Sequence, residues 1–362
     1  MASTNFPASH PLAVKVWARK AFADAVKATT YGKLTGKSDR AIVQVKDELK
    51  KEGDRIRFRI RMLPTGIGVQ DNETLEGKEE GLDYKHFDLN LGEKRHAFQV
   101  DLNLSENRTM ANVREDMKAA QQEWLEEYLD TTFFEVLSGA GTGPGGVSKY
   151  HPSGMLGGNP LLAPSADRIV YGGTGVAAKA ALQATDIMTL TVLDKLAERA
   201  KLASPTMRKG LFDGKQAWVA ILHPWQVTSL RTNTSTGQWL DIQKAAMMGG
   251  KVSDNPIWGA ALGMYHDIIL VESTRIQTFS DYGAGGNVRA ARGLLLGAQA
   301  GVVAHGVGAD DKGRTKVVEK EKDYGKYLGS GMTMIWGMSK VRFEGQSDFG
   351  VFAFDTAAAP LT

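Results

Sequence analysis

The sequence predicts an α+β fold, and three observations carry this prediction. A run without Gly or Pro spans 109–137 and repeats apolar residues at spacings of three and four, which indicates one long helix. Arginine alternates with apolar residues over 55–62, which indicates a strand. Segments at 316–321, 331–338 and 348–354 are rich in β-branched and aromatic residues and predict further strands. We therefore expect a mixed sheet laid on a long helix.

The long helix is the element around which we expect the chain to be organised. Its apolar stripe consists of Met110, Val113, Met117, Ala120, Trp124, Tyr128, Phe133 and Phe134. Acidic residues lie mostly off the stripe: Glu115, Glu123, Glu126, Glu127 and Asp130. At about 1.5 Å per residue the helix is roughly 40 Å long. We expect one face to enter the core and the acidic face to meet water or a partner.

A loose arm at 1–11 and a basic amphipathic helix at 12–33 are predicted before the first strand. Such a helix suits either a membrane surface or the surface of another protein, and we favour the protein surface.

The strand at 55–62 belongs to a predicted hairpin with segregated charge. Its arginines share one face because side chains alternate across a strand; they are Arg55, Arg57, Arg59 and Arg61. A return strand is predicted at 84–91, and the segment between the strands, 71–83, holds six acids and one lysine, a net −5. These acids are Asp71, Glu73, Glu76, Glu79, Glu80 and Asp83. Four like charges in a row need anions opposite. Three arrangements stay open: the acidic segment of one copy lies against the arginines of a neighbour, the hairpin is simply solvated, or the arginines contact nucleic acid.

The middle of the chain reads as an α/β lobe that follows a long loop. The loop, 139–164, is rich in Gly, Pro and Ser, and loops of that length are usually functional or mobile. A helix is predicted at 186–203, strands at 216–222 and 268–272, and a short helix after His223 and Pro224.

The composition excludes several classes of chemistry. The 362 residues contain no cysteine, which rules out disulfides and thiolate metal sites, and the net charge is only +3. Charge is nevertheless uneven, since residues 1–62 hold 14 Lys and Arg against 6 Asp and Glu, a net +8. No apolar run approaches the roughly 20 residues of a membrane span, and no signal peptide opens the sequence. We expect a protein made in the cytosol that does not enter a membrane.

No motif in the sequence demands catalysis. The run Gly141–Gly146 fits GxGxxG but follows a helix rather than a strand, and the run Gly32–Ser38 is one residue too short for a phosphate loop. The seven histidines form no HxH or HExxH pair, and His223 is expected to be a turn residue. We expect no catalytic residues, no cofactor and no metal site.

The order of these elements resembles the major capsid proteins of tailed phages, which have the Hong Kong 97-type shell fold. Several stretches are similar to the coat-protein branch of the N-four-like phages: Ala41–Lys50, Ile56–Met62, Asn72–Gly77, Asp167–Gly173, Leu222–Gln226 and Asn255–Gly259. The resemblance covers nearly the whole chain, and the order and spacing of the stretches carry it.

The resemblance implies five regions, namely an N-arm (1–53), an E-loop hairpin (54–100), a P-domain with the long helix (101–180), an A-domain (181–300) and closing P-domain strands (301–362). It also implies hexamers and pentamers that form an icosahedral virion around double-stranded DNA, with scaffolding, portal and decoration proteins as further partners. Some relatives crosslink their E-loops covalently, which is not carried over to this chain. The alternatives are an encapsulin-like compartment shell and, from another class, a soluble α/β hydrolase.

Overall fold

A computed structural model describes residues 26, 29–46, 55–61, 66–71, 73–101, 113–143, 146–212, 215–232, 261–306, 315–324, 326–345 and 347–360. Every structural statement below refers to these residues. Most of the helix predicted at 12–33, the first residues of the long helix (109–112) and the stretch at 255–259 lie outside them.

The predicted long helix is confirmed as α2, which is described over Val113–Ser138. Its apolar residues, including Met117, Tyr128 and Phe133, are buried as expected. The expected acidic face is wrong for the second half of the helix, because every residue from 128 to 138 is buried. Asp130 and Glu135 therefore lie inside the protein rather than in water. The reason is that two sheets and the Gly-rich segment together surround this half of α2.

The first sheet lies on α2 and has six strands in the described part of the chain. Its strands are β1 (Thr35–Gly36), β2 (Val43–Lys46), β5 (Gly92–Asp101), β15 (Gly301–His305), β16 (Thr315–Lys322) and β17 (Tyr327–Lys340). Their order is β1-β2-β15-β17-β16. In addition, β5 pairs with β17 outside this linear order. Alternate residues of β17, such as Met332, Met334 and Trp336, are buried in the same core as α2.

The second sheet has eight strands in the described part and forms the centre of the predicted α/β lobe. Its strands are β8 (Ile169–Tyr171), β9 (Gly210–Phe212), β10 (Lys215–Leu222), β11 (Ala261–Tyr265), β12 (Ile268–Glu272), β13 (Thr278–Tyr282), β14 (Val288–Leu296) and β18 (Val351–Ala357). The order is β11-β12-β10-β14-β18-β8, with β9 on β10 and β13 on β14. The pairs β10–β12 and β18–β8 are parallel.

Both faces of the second sheet are covered. Val219 and Ile221 of β10 pack in the core that contains α2, whereas Trp218 and Leu222 pack in a core that contains α3 (Leu190–Leu202) and residues of α4 (Pro224–Thr232). The near-continuous apolar run of β10 follows from this two-sided burial. Short 3-10 turns lie at Ala166–Arg168, Lys179–Ala181 and Phe343–Gly345.

The three predicted closing strands are present, but they divide between the two sheets. β16 and β17 pair with each other in the first sheet, whereas β18 lies between β14 and β8 in the second. The expectation of one closing sheet is therefore wrong for the last strand. Sequence pattern gives the strand but not its partner, because Val351, Phe352 and Phe354 suit any buried sheet.

Two predicted helices differ from the structure. Helix α3 begins at Leu190 rather than 186, because Ile187 forms a β-bridge with Ala357 instead. The helix predicted over 12–33 is interrupted at Thr29, whose extended backbone caps a separate short helix, α1 (Thr30–Leu34). The Thr29 hydroxyl accepts a hydrogen bond from the Gly32 amide at 3.1 Å.

The Gly-rich segment 139–164 is attached to α2 rather than loose. It contains two short paired strands, β6 (Met155–Leu156) and β7 (Asn159–Pro160). The buried Glu135 carboxylate accepts hydrogen bonds from the Thr142 amide (2.9 Å), the Thr142 hydroxyl (2.7 Å) and the Ser148 hydroxyl. Among the described residues of this segment, Thr142 and Ser148 are thus attached to α2 through one buried carboxylate.

Candidate interface between subunits

The predicted charged hairpin is confirmed, with strands β3 (Arg55–Arg61) and β4 (Tyr84–Asn90) paired antiparallel. Arg55, Arg57 and Arg59 are exposed, and Ile56 and Phe58 between them are buried. The register pairs Arg61 with Tyr84, two positions beyond Arg59 in the strand. We call these four residues the arginine face.

The opposite face of the hairpin fastens it to the body of the protein. Ile56, Phe58 and Leu89 form a small core with Val302 of β15 and with Phe343. The Lys46 ammonium lies 5.0 Å from the centre of the Phe58 ring. The apolar half of the alternating pattern thus anchors the hairpin, and the arginine face is directed outward.

One carboxylate of the return strand neutralises part of the arginine face. The Arg57 guanidinium donates two hydrogen bonds to Asp88, at 2.7 and 2.8 Å. This contact lowers the pKa of the Asp88 carboxyl below its ordinary value. Arg55 and Arg59 face Asn90 and His86 in the register, so no acid of β4 lies opposite them.

The acids between the strands form what we call the acidic tip, residues 71–83. All of its described residues are exposed, and none of them is in a helix or strand. Its contacts are local: Glu73 pairs with Lys78 at 2.7 Å, Glu79 accepts from the Gly77 amide, and Glu80 accepts from the Gly66 amide.

The remaining acids of the tip, Asp71, Glu76 and Asp83, are exposed, and Asp71 has a positive φ of 49°. Among the described side chains, no ion pair or hydrogen bond joins Arg55, Arg57 or Arg59 to five acids of the tip, namely Asp71, Glu73, Glu76, Glu79 and Asp83. The structure thus presents the two charged surfaces separately.

Apolar side chains accompany the acids at this end of the hairpin. Ile67 is fully exposed, and Leu75 and Leu82 are 61% and 62% exposed. Tyr84, at the start of β4, is half exposed. Single exposed apolar residues are ordinary, but several on one projecting segment indicate a surface that another molecule covers. Sequence analysis emphasised the acids and missed these residues.

A second feature that sequence analysis missed is a cavity of about 220 Å³ beside α2. We call it the aromatic pocket; its lining includes Lys94, Tyr128, Tyr150, His151, Met155 and Trp336. The Tyr128 hydroxyl accepts a hydrogen bond from the Trp336 indole at 3.1 Å. Burial raises the pKa of the Tyr128 hydroxyl above its usual range. The lining comes from four separate segments, so no local sequence motif indicates the pocket.

The residues of the rejected motifs have structural roles. His223 caps α4, because its Nδ1 accepts from the Trp225 amide at 3.2 Å and its own amide donates to Gln226. Gly141 and Thr142 lie in the segment that Glu135 holds. Among the described residues, no group of three or more acids and histidines is placed to bind a metal ion. No described helix is both long and apolar enough to cross a membrane.

Comparison with known proteins gives this surface its context. A family model described as phage capsid protein matches residues 5–360. The major capsid protein of Pseudomonas phage KPP25 is 24% identical over 98% of both chains. Among solved structures, the capsid of Ralstonia phage GP4 is 30% identical over 91% of each chain, with a TM-score of 0.80. The capsid of cyanophage Pam1 has the same fold, with 21% identity over 93% of this chain and 94% of that one and a TM-score of 0.71.

The fold shared with these capsids defines a structural protein whose copies build a shell. The chain belongs to the phage capsid protein family. It is the major capsid protein of a phage with an icosahedral head, a component of the virion with the Hong Kong 97-type fold, and its copies assemble into a shell. Membership of this family does not support either of the alternatives considered from the sequence, the encapsulin-like compartment shell or the soluble α/β hydrolase. The N-four-like branch stays a prediction.

Proposed function

We propose that the chain forms hexamers and pentamers that close the phage head around double-stranded DNA, which it contacts without sequence specificity. Scaffolding, portal and decoration proteins are the further partners, assembly takes place in the host cytoplasm, and the chain has no enzymatic activity. In this proposal the chain is divided into the five regions expected from the sequence, from the N-arm to the closing strands.

The contact we propose joins the acidic tip of one copy to the arginine face of a neighbour. The observation that supports it is the segregation of opposite charges on one exposed hairpin. Among the described side chains, five acids of the tip make no contact with Arg55, Arg57 or Arg59 of the same chain; they are Asp71, Glu73, Glu76, Glu79 and Asp83. Arg57 is partly occupied by Asp88, so Arg55, Arg59 and Arg61 are the main receivers. A neighbour supplies the anions that a row of arginines requires.

Charge gives this contact its orientation more than its strength. An exposed ion pair contributes about 0 to 1 kcal/mol, and complementary charge mainly selects partners and speeds docking. The binding free energy comes instead from apolar burial, which a shell repeats at every copy.

The test is to reverse the acids of the tip. Replacing Glu73, Glu76, Glu79 and Glu80 with Lys should block shell assembly, because like charges would then face each other. The unassembled variant should keep its circular dichroism spectrum and melting temperature, since these side chains are exposed. Electron microscopy and sedimentation measure the yield of shells. Normal shells from this variant would end the proposal.

Two further variants separate a specific contact from an effect of net charge. Adding Glu at Arg55, Arg57, Arg59 and Arg61 to the reversed tip should partly restore assembly. A matched control reverses four exposed acids elsewhere, namely Glu123, Glu198, Glu272 and Glu321. Shell yields that fall equally in this control would attribute the loss to total charge instead of the hairpin.

A further inference from the structure

The arginine face and the aromatic pocket share a border, which is the turn between β6 and β7. Asn90 lies opposite Arg55 in the register and is therefore on the arginine face. Its side chain donates to the Gly158 carbonyl at 3.2 Å, and its backbone amide and carbonyl both bond to the Asn159 side chain. The arginine face therefore ends against the β6–β7 turn.

The same turn forms one wall of the pocket. Met155, Leu156 and Gly157 all line it, as does Gly92, which follows the hairpin directly. Gly92 and Gly157 approach so closely that a Cβ on Gly92 would lie 2.3 Å from the Gly157 Cα atom. This contact holds the pocket next to the base of the hairpin. The two surfaces are continuous across Asn90, Gly158 and Met155.

The pocket suits an apolar side chain with an acidic neighbour. Tyr150 is partly exposed and Met155 at the edge is half exposed, whereas Tyr128 and Trp336 are buried behind them. Its volume of about 220 Å³ equals that of roughly seven liquid waters at ~30 Å³ each. The Lys94 ammonium lies 5.4 Å from the centre of the Tyr128 ring and donates to the Tyr150 carbonyl. A cation therefore lies beside the aromatic rings, and the carboxylate of Glu93, which also lines the pocket, is paired with Arg95 at 3.8 Å.

The acidic tip offers the complementary group. Leu75 is exposed, lies between Glu73 and Glu76, and is held in a turn by the hydrogen bond from the Lys78 amide to its carbonyl. We propose that the aromatic pocket of one copy receives Leu75 from the acidic tip of a second copy, with Glu76 beside Lys94. The inference rests on the proposed contact between tip and arginine face, and adds the apolar anchor which that contact lacks.

Disulfide trapping tests this placement directly, because the chain contains no cysteine. Leu75→Cys subunits and Met155→Cys subunits are purified separately, mixed, assembled and oxidised. A dimer between the two variants should form on a non-reducing gel and disappear on reduction. A matched control replaces Met155→Cys with Leu202→Cys, which is 77% exposed at the end of α3. We expect about tenfold more dimer with Met155→Cys, since a disulfide requires Cα atoms within roughly 7 Å.

A second measurement tests whether Leu75 stabilises the contact between copies. Leu75→Ser should lower the temperature at which shells dissociate, whereas Leu202→Ser should leave it unchanged. Equal crosslinking of both pairs, no crosslinking, or an unchanged dissociation temperature for Leu75→Ser would overturn the inference. These outcomes are distinct from failure of the proposed contact, because both leucine variants keep every charge. If charge reversal blocks assembly while Leu75 does not reach Met155, the arginine contact stands without the pocket.

Discussion

At the scale of single residues, one acid that the sequence places on the water-facing side of α2, Asp130, is buried instead. Asp130 accepts a hydrogen bond from the Tyr31 amide and pairs with Arg275 at 3.3 Å, so it joins α1 to α2 and to the second sheet's loops. Helical periodicity places Asp130 off the apolar stripe correctly. It carries no information on which segments later cover that side, and the acidic face was mispredicted for this reason.

His151 is a buried group whose charge state matters for stability. Its Nε2 lies 3.3 Å from the Thr132 hydroxyl, and its backbone amide donates to Ser148. Burial, followed by the nearby Lys94 charge, lowers the pKa of His151 to about 4, against a smaller opposing effect of Glu135. The folded protein therefore favours the neutral imidazole.

The lowered pKa predicts a loss of stability in acid. The stabilisation is fully present above the unfolded pKa of about 6.5 and is lost as pH falls towards 4, because the unfolded chain binds the proton more readily. Urea unfolding of unassembled subunits at about pH 7 and about pH 4.5 should differ by roughly 2 to 3 kcal/mol from this residue alone. His151→Gln should remove that part of the difference.

Replacement of the exposed His86 is the matched control for acid sensitivity. His86→Gln removes an exposed imidazole on the hairpin and should change the loss of stability in acid less than His151→Gln does. If both variants respond to pH alike, His151 is not the source of the effect.

At the scale of elements, the pattern of a strand or helix determined its type, while its partners came from long-range contacts. The hairpin was predicted in full because charged and apolar side chains alternate along it without interruption. Its inner face needs only one apolar surface to pack against. The attachment of the Gly-rich segment was not predicted, because it depends on Glu135, a residue of another element. Its glycines indicate turns correctly but say nothing about attachment.

Glu135 should therefore control the order of the whole segment 139–164. Glu135→Ala leaves the Ser148 hydroxyl and the Thr142 amide without their buried acceptor, which should lower the free energy of unfolding by about 2 to 4 kcal/mol. Limited proteolysis should cut the variant between Gly141 and Gly158 much faster than the unchanged protein. Glu123→Ala, at an exposed position of the same helix, is the control and should have little effect. Equal cutting rates would show that other contacts hold the segment.

At the scale of the whole molecule, the sequence predicted the parts of the shell fold and the class of function. It did not predict that two sheets surround α2, or that the last strand leaves its sequence neighbours for the second sheet. The candidate interface was predicted in its charges and missed in its apolar component. Leu75 and Met155 lie in segments without periodicity, so only the exposed surfaces reveal them.

The charge contact predicts that assembly depends on salt. Raising NaCl from about 0.1 M to about 1 M shortens the Debye length from ~10 Å to ~3 Å and weakens attraction between exposed charges. The rate of assembly, followed by light scattering, should fall over this range. The variant with both the tip and the arginine face reversed should show the same dependence, since the attraction is restored with opposite signs. A rate independent of salt in the unchanged protein would contradict the charge contact.

The position of β18 also has a consequence for the timing of folding during synthesis. The strand lies between β14 and β8, so the second sheet has a gap at that place until residue 357 has left the ribosome. Strands of such distant origin pair slowly. We therefore expect the lobe to be finished, and the subunit to become able to join a shell, only after translation has passed this strand.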